Sequence, residues 1–223
     1  MNIVEYPDRE LMMFSLADTL ASELATALRT NETASLCVPG GTTPGPVFDV
    51  LSGVKLDWGR VVVFLNDERW LPETSDRSNG RLLKQRLFVG EAAVARYLPL
   101  YADTPEPEAA LGDLAAAIEP HLPISVLLLG MGADMHTASL FPGADRLADA
   151  MAANAPVLMA MRAPTVPEPR VTLTARVLAG AMSVHILITG AEKREALERA
   201  RHLPSDDAPV RAVLSNATVH WAA

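Results

Sequence analysis

Residues 124–143 read ISVLLLGMGADMHTASLFPG, and this stretch decides the fold. It opens on an apolar run through Leu129, breaks at Gly130 and Gly132, presents Asp134 and His136, and resumes with Thr137-Ala138-Ser139 before Pro142-Gly143. A short apolar run bounded by glycine reads as a buried strand that ends in a polar turn. In an open α/β sheet, ligands bind beyond the carboxyl ends of the strands. The Asp-x-His pair therefore sits where chemistry is expected.

Working outward, the same pattern repeats. Thr33 to Val38 reads as a short buried strand followed at once by Pro39-Gly40-Gly41-Thr42-Thr43-Pro44, whose glycines permit a tight turn and whose Pro44 suits the start of a helix over 44–53. Gly59 to Asn66 forms a further strand that ends in Asp67-Glu68-Arg69, and Val184 to Thr189 forms another that ends at Gly190, before a helix from Ala191 to Leu203. Asn2 to Tyr6, residues 96–101, Val157 to Met161 and Thr218 to Trp221 supply shorter strands. Helices are expected from Pro7-Asp8 to Asn31, with Leu11, Phe14, Leu16, Leu20, Leu24 and Leu28 as its apolar positions, and over Ser78–Phe88, Pro105–His121 and Thr174–Gly180. Pro164, Pro167 and Pro169 make a rigid extended loop. Such alternation predicts an α/β fold: a single domain with a mainly parallel sheet, joined by right-handed crossovers and covered by helices on both faces.

The whole-chain numbers narrow the function classes. The 223 residues are 49% hydrophobic and 21% charged, enough for a substantial core. A net charge of -8 argues against a general nucleic-acid surface. Cys37 is the only cysteine, so an intrachain disulfide and a thiolate metal cluster are both excluded. The opening MNIVEYPDRE lacks a basic segment followed by an apolar core, and no apolar run reaches the roughly 20 residues of a membrane span. A cytoplasmic location is expected, with no membrane partner. The sequence carries no signal of oligomeric state.

Four polar clusters follow strands: Gly40-Gly41-Thr42, Asp67-Glu68-Arg69, Asp134 with His136, and Gly190 with Lys193. Because parallel strands share one carboxyl edge, these clusters can converge. The glycine turn would aim backbone N–H groups and a hydroxyl at an anion, aided by the following helix dipole. Arg69 and Lys193 are candidate phosphate partners, and Arg170, after the proline loop, is a further candidate. His136 is the natural general base, with Asp134 to orient its ring or hold a ligand hydroxyl. His121, His185, His202 and His220 lack that context and read as structural or surface groups. No Walker motif, dinucleotide G-x-G-x-x-G or G-x-S-x-G nucleophile elbow occurs, so nucleotide cofactors and a serine nucleophile are not expected. Asp134 and His136 lack the further clustered ligands a metal site needs. Water activated by a base is the hydrolytic chemistry left.

Leu129 to Gly143 closely resembles the signature of 6-phosphogluconolactonases. Pro39 to Pro44, Asp67-Glu68-Arg69, Ser78-Asn79, Pro169 to Thr174 and Thr189 to Lys193 fall in that family's order, so the resemblance covers nearly the whole chain. It implies hydrolysis of 6-phospho-D-glucono-1,5-lactone in the oxidative pentose phosphate pathway, a Rossmann-like fold shared with glucosamine-6-phosphate deaminases, a sugar-phosphate lactone as ligand and no cofactor. Carried over by position, Gly40, Gly41, Thr42, Arg69 and Lys193 would hold the phosphate, His136 would activate water, and Arg170 would meet the substrate or its developing charge. Two positions depart from the family: Met135 stands where glycine is usual, and Pro39 where serine is usual. If that glycine takes a positive φ, Met135 is strained. The alternatives are a glucosamine-6-phosphate deaminase and a non-catalytic sugar-phosphate sensor. Against the first, Ser139-Leu140-Phe141 replaces a run that carries an acid in deaminases; against the second, there is no room for the DNA-binding helices that such regulators carry.

Overall fold

The computed structural model describes residues 1–223. The chain runs through β1 (Asn2–Glu5), α1 (Arg9–Thr30), β2 (Ala34–Val38), α2 (Gly45–Ser52), β3 (Val61–Leu65), β4 (Asp67–Arg69) and α3 (Asn79–Arg86). Then come β5 (Arg96–Leu98), α4 (Leu111–Ile118), β6 (Val126–Gly130), α5 (Leu147–Met151), β7 (Leu158–Met161), β8 (Arg170–Leu173) and α6 (Ala175–Ala179). The last elements are β9 (Ser183–Thr189), α7 (Ala191–Ala200), α8 (Arg211–Leu214) and β10 (Ala217–Ala222). Seven strands form one sheet in the order β1-β10-β9-β6-β2-β3-β5, and every neighbouring pair is parallel. All five residues of β2 and of β3 are buried. Successive strand residues point to opposite faces, so both faces of the sheet centre are covered.

Helix α1 is the longest cover. Asp8 caps it, accepting from the Leu11 N–H at 2.8 Å. Leu16, Leu20, Leu24 and Leu28 lie on the core face, as their spacing requires, but Leu11 and Phe14 are 47% and 52% exposed. Met12 and Met13 take the inward positions instead, because a four-residue row through Leu16 continues back to residue 12 and its neighbour rather than to 11. By length and composition α1 could cross a bilayer, yet eight of its residues are buried within the protein, and it packs against β2, β6 and β10. Complete burial of each leucine contributes about 1.5–3 kcal/mol.

Two expectations change. The helix expected over Pro105–His121 is α4 alone, with single tight turns at Pro107–Ala109 and Glu119–His121 on either side. Proline has no N–H to donate to a helical ladder, and Pro107 and Pro120 fall inside those turns. The mainly parallel sheet is as expected, but β4, β8 and β7 make a separate small antiparallel sheet beside it, in that order. Asp67-Glu68-Arg69 is thus the strand β4 itself rather than only the polar end of β3. Its ladder partner, β8, lies far along the chain, and a three-residue charged strand has no alternation to betray it.

Away from the sheet's carboxyl edge a polar chain ties the terminal strands to α1. Tyr6 Oη lies 2.8 Å from His220 Nδ1, His220 Nε2 lies 2.9 Å from His185 Nδ1, and His185 Nε2 lies 2.8 Å from Glu23 Oε2. One set of neutral tautomers satisfies every link, with each ring donating from Nε2. Burial, helped by His185 and opposed by Glu23, pushes His220 down to about 4. The Glu23 carboxyl is raised by burial, but its bonds from His185 and Ser183 leave it below its ordinary value. Both groups therefore lose stability on acidification: the His220 contribution is whole above its ordinary value near 6.5 and is lost as pH falls toward 4, in all ~3 kcal/mol. Urea unfolding should weaken across that window, and His220→Asn should flatten the slope; an unaltered slope would place the acid sensitivity elsewhere.

Candidate active site

The carboxyl ends of β2, β3, β6 and β9 open onto one cavity of about 480 Å³. Gly40, Gly41, Arg69, Asp134, His136, Arg170 and Lys193 all line it, so clusters from four parts of the sequence do converge. Thr42 does not line it. Its neighbour Thr43 does, while Thr42 faces an adjoining depression beside Arg9 and Phe14 on α1.

The turn after β6 builds the Asp134–His136 pair. Gly132 N–H donates to the His136 carbonyl at 3.0 Å, and Met135 N–H donates to the Gly132 carbonyl at 3.0 Å, closing residues 132–136 into a tight loop. Met135 has φ +67°, so the strain expected of a non-glycine residue is present, at a cost of about 1–2 kcal/mol. Two contacts hold it there. Its carbonyl accepts from Val210 N–H at 3.1 Å, and its side chain packs on the core. Ala138 also has a positive φ, +50°, which nothing in the sequence signalled.

Within this loop His136 Nδ1 lies 2.5 Å from Asp134 Oδ1, and the Asp134 carboxylate also accepts from the His136 N–H at 3.3 Å. A carboxylate can only accept, so Nδ1 carries a proton, and in the neutral ring Nε2 keeps its lone pair. Partial burial raises the Asp134 carboxyl, but the hydrogen bond and charge of His136 outweigh that and hold it below the ordinary carboxylate value. Asp134 therefore stays ionised and sets the tautomer. A Cβ on Gly132 would collide with Asp134 Oδ1 and the His136 ring, so glycine here is a requirement of the pair's own packing.

The small antiparallel sheet supplies the cations. Register places Arg69 directly opposite Arg170, so two guanidinium groups occupy one face of the ladder at the cavity wall. Like charges opposed across a ladder are unfavourable unless counter-charged. Asp67 lies 3.6 Å from Arg170 Nη1, and Glu168 lies 3.5 Å from Arg69 Nε. Asp67 also accepts from the Ser139 hydroxyl at 2.5 Å. Burial draws Arg170 below its ordinary value, with Asp67 acting against that, and its Nε has no hydrogen-bond partner. Glu168 is also held by Arg77 at 2.7 Å, so two carboxylates serve three guanidinium groups, an arrangement suited to an anion.

Glu68, on the opposite face of β4, is almost fully buried and accepts from the N–H groups of Arg69, Asn79 and Gly80 at 2.7–2.9 Å. Burial raises its carboxyl despite those bonds. It fixes the start of α3, and with it Asn79, whose Oδ1 accepts from Arg69 Nη1 at 3.1 Å. A Cβ on Gly40 would overlap the Asn79 side chain, so the glycine turn and α3 pack in contact. The sequence marked Ser78-Asn79 as a helix start and did not mark Asn79 as a site residue; Asn66, Phe141, Thr165 and Val166, which also line the cavity, were missed in the same way. None of these carries a charge, and only the fold shows where they point.

The fold and cavity place the protein among α/β enzymes whose ligand site lies at the carboxyl edge of a parallel sheet. The family model described as glucosamine-6-phosphate isomerases/6-phosphogluconolactonase matches residues 7–221, and the chain belongs to that family. It is 41% identical to the 6-phosphogluconolactonase of Rhizobium meliloti (strain 1021), over all of this chain and 98% of that one. Against the 6-phosphogluconolactonase of Pseudomonas aeruginosa the identity is also 41%, covering 92% of this chain and 88% of the relative. The crystal structure of a 6-phosphogluconolactonase from Shewanella baltica OS155 superposes with a TM-score of 0.96 at 30% identity, covering 100% of this chain and 98% of that one. A monomeric glucosamine-6-phosphate deaminase superposes at 0.83 with 17% identity, covering 100% of this chain and 97% of that one, a likeness of fold alone.

Proposed function

We propose that this protein hydrolyses 6-phospho-D-glucono-1,5-lactone to 6-phospho-D-gluconate with water as the only co-reactant. The observation that carries the reading is His136, held at Nδ1 by Asp134 and so left with a free Nε2 in a cavity that also gathers Arg69, Arg170 and Lys193. Nε2 takes a proton from water as the oxygen bonds to C1, and the carbonyl electron pair moves onto its oxygen. Arg170, buried and incompletely paired, faces that developing negative charge. When the oxyanion collapses, the C1–O5 bond breaks and O5 takes the proton from the imidazolium. The product acid then ionises to solvent.

At the other end of the substrate, Gly40, Gly41 and Thr43 at the start of α2, with Arg69 and Lys193, form the phosphate subsite. Lys193 lies in the first turn of α7, just after Gly190. The reading treats the chain as one domain, supported by a single continuous apolar core, and places it in the cytoplasm with the oxidative pentose phosphate pathway. Phe141 is 5% exposed and lies against His136, where an acid would be required by a deaminase-like ring-opening step. Lys193→Ala should raise KM for the phosphorylated lactone ~10-fold with kcat largely kept, and should leave hydrolysis of unphosphorylated gluconolactone unchanged. An equal KM would remove Lys193 from the subsite, and ammonia release from glucosamine 6-phosphate would favour the deaminase.

A further inference from the structure

Phe141 stands between two of the groups just assigned. Its ring centroid is 4.4 Å from that of His136, at an interplanar angle of 39°. The Arg170 guanidinium carbon lies 5.7 Å from the same ring. Phe141 is 5% exposed, whereas the His136 side chain is 30% exposed and Asp134 48%. The ring that carries the chemistry is thus the more exposed member, and the buried one is its support. Asp134 fixes His136 through one atom, which leaves rotation about that contact open; a second contact on the ring removes it.

We propose that Phe141 is a positioning residue for the base: its ring fixes the plane of His136 and stabilises the imidazolium formed when Nε2 takes the proton. An aromatic face attracts a cation within about 6 Å, and it does so most where water is excluded. Before reaction His136 gains only packing from Phe141; after proton uptake it gains the attraction as well. The support is therefore worth more along the reaction than before it. An anion at position 141 would attract the imidazolium more strongly, but it would also neutralise Arg170, whose charge the oxyanion needs. An uncharged π-face serves both neighbours. The charged groups that face His136 are Asp134 on its own loop, Arg170 across Phe141, and Arg69, Asp67 and Lys193 around the cavity. None of these is removed by changing Phe141.

The inference rests on His136 being the base, and two readouts separate its failure from failure of that reading. The variant is Phe141→Leu, which keeps an apolar side chain and loses the π-face. In steady-state hydrolysis of the phosphorylated lactone, kcat falls ~10-fold and KM stays within ~2-fold. By NMR of the ligand-free protein, the titration midpoint of the His136 Cε1–H signal moves to lower pH by ~0.5 unit. A kcat unchanged, or a loss confined to KM, overturns the proposal, as does an unmoved midpoint in a variant that keeps native near-UV circular dichroism. If Phe141→Leu does not fold, Phe141→Met is measured in the same way. Should the unaltered protein show no lactone hydrolysis, the titration still decides whether Phe141 supports the imidazolium.

Discussion

His136→Ala lowers kcat on the phosphorylated lactone by ~100-fold or more, while KM changes little. The size follows from what is lost. No other histidine lines the cavity, and its remaining ionisable side chains are those of Asp67, Asp134, Arg69, Arg170 and Lys193. Asp134 is a poor substitute, because even an ordinary carboxylate is a weaker base than an imidazole. The proposed phosphate subsite lies on other elements, the turn before α2, β4 and the start of α7, so substrate binding should survive. Unchanged turnover would remove His136 from the chemistry.

Gly132→Ala has an effect of similar size with no change to any chemical group. The added Cβ would occupy the space of Asp134 Oδ1 and of the His136 ring. Either the pair separates or the loop shifts, and the loop is already strained at Met135 and closed by two backbone hydrogen bonds. Loss of the pair frees the wrong tautomer and a displaced ring, so kcat should fall by ~100-fold, with thermal stability lowered by only ~1–2 kcal/mol. If kcat survives, the geometry of the Asp134–His136 contact does not matter to catalysis. An effect confined to KM would contradict the expectation in the same way.

Much of this was legible in residues 124–143. An apolar run, two glycines and an Asp-x-His motif were enough to place Asp134 and His136 at a strand end, and the parallel sheet that brings four such ends together followed from alternation of strands and helices. The part that was not legible is non-local. Strand β4 pairs with β8 across a long stretch of chain, and only that pairing sets Arg69 opposite Arg170. Thr42 and Thr43 are adjacent and alike, and which of them enters the cavity depends on the turn's backbone, not on residue type. Phe141 reads in sequence only as part of a run without an acid; in space it touches His136. Leu11 and Phe14 fit a loose helical spacing as well as Met12 and Met13 do, and packing on the sheet decides between them. The departure at Met135 was visible as a substitution for glycine, but the contacts from Val210 and the core that hold it were not.

The most direct measurement is acid release from freshly generated 6-phospho-D-glucono-1,5-lactone, followed at constant pH against the spontaneous rate. The protein should accelerate it by orders of magnitude, saturably and with His136 required. A rate equal to the spontaneous one would contradict the assignment of this cavity to lactone hydrolysis.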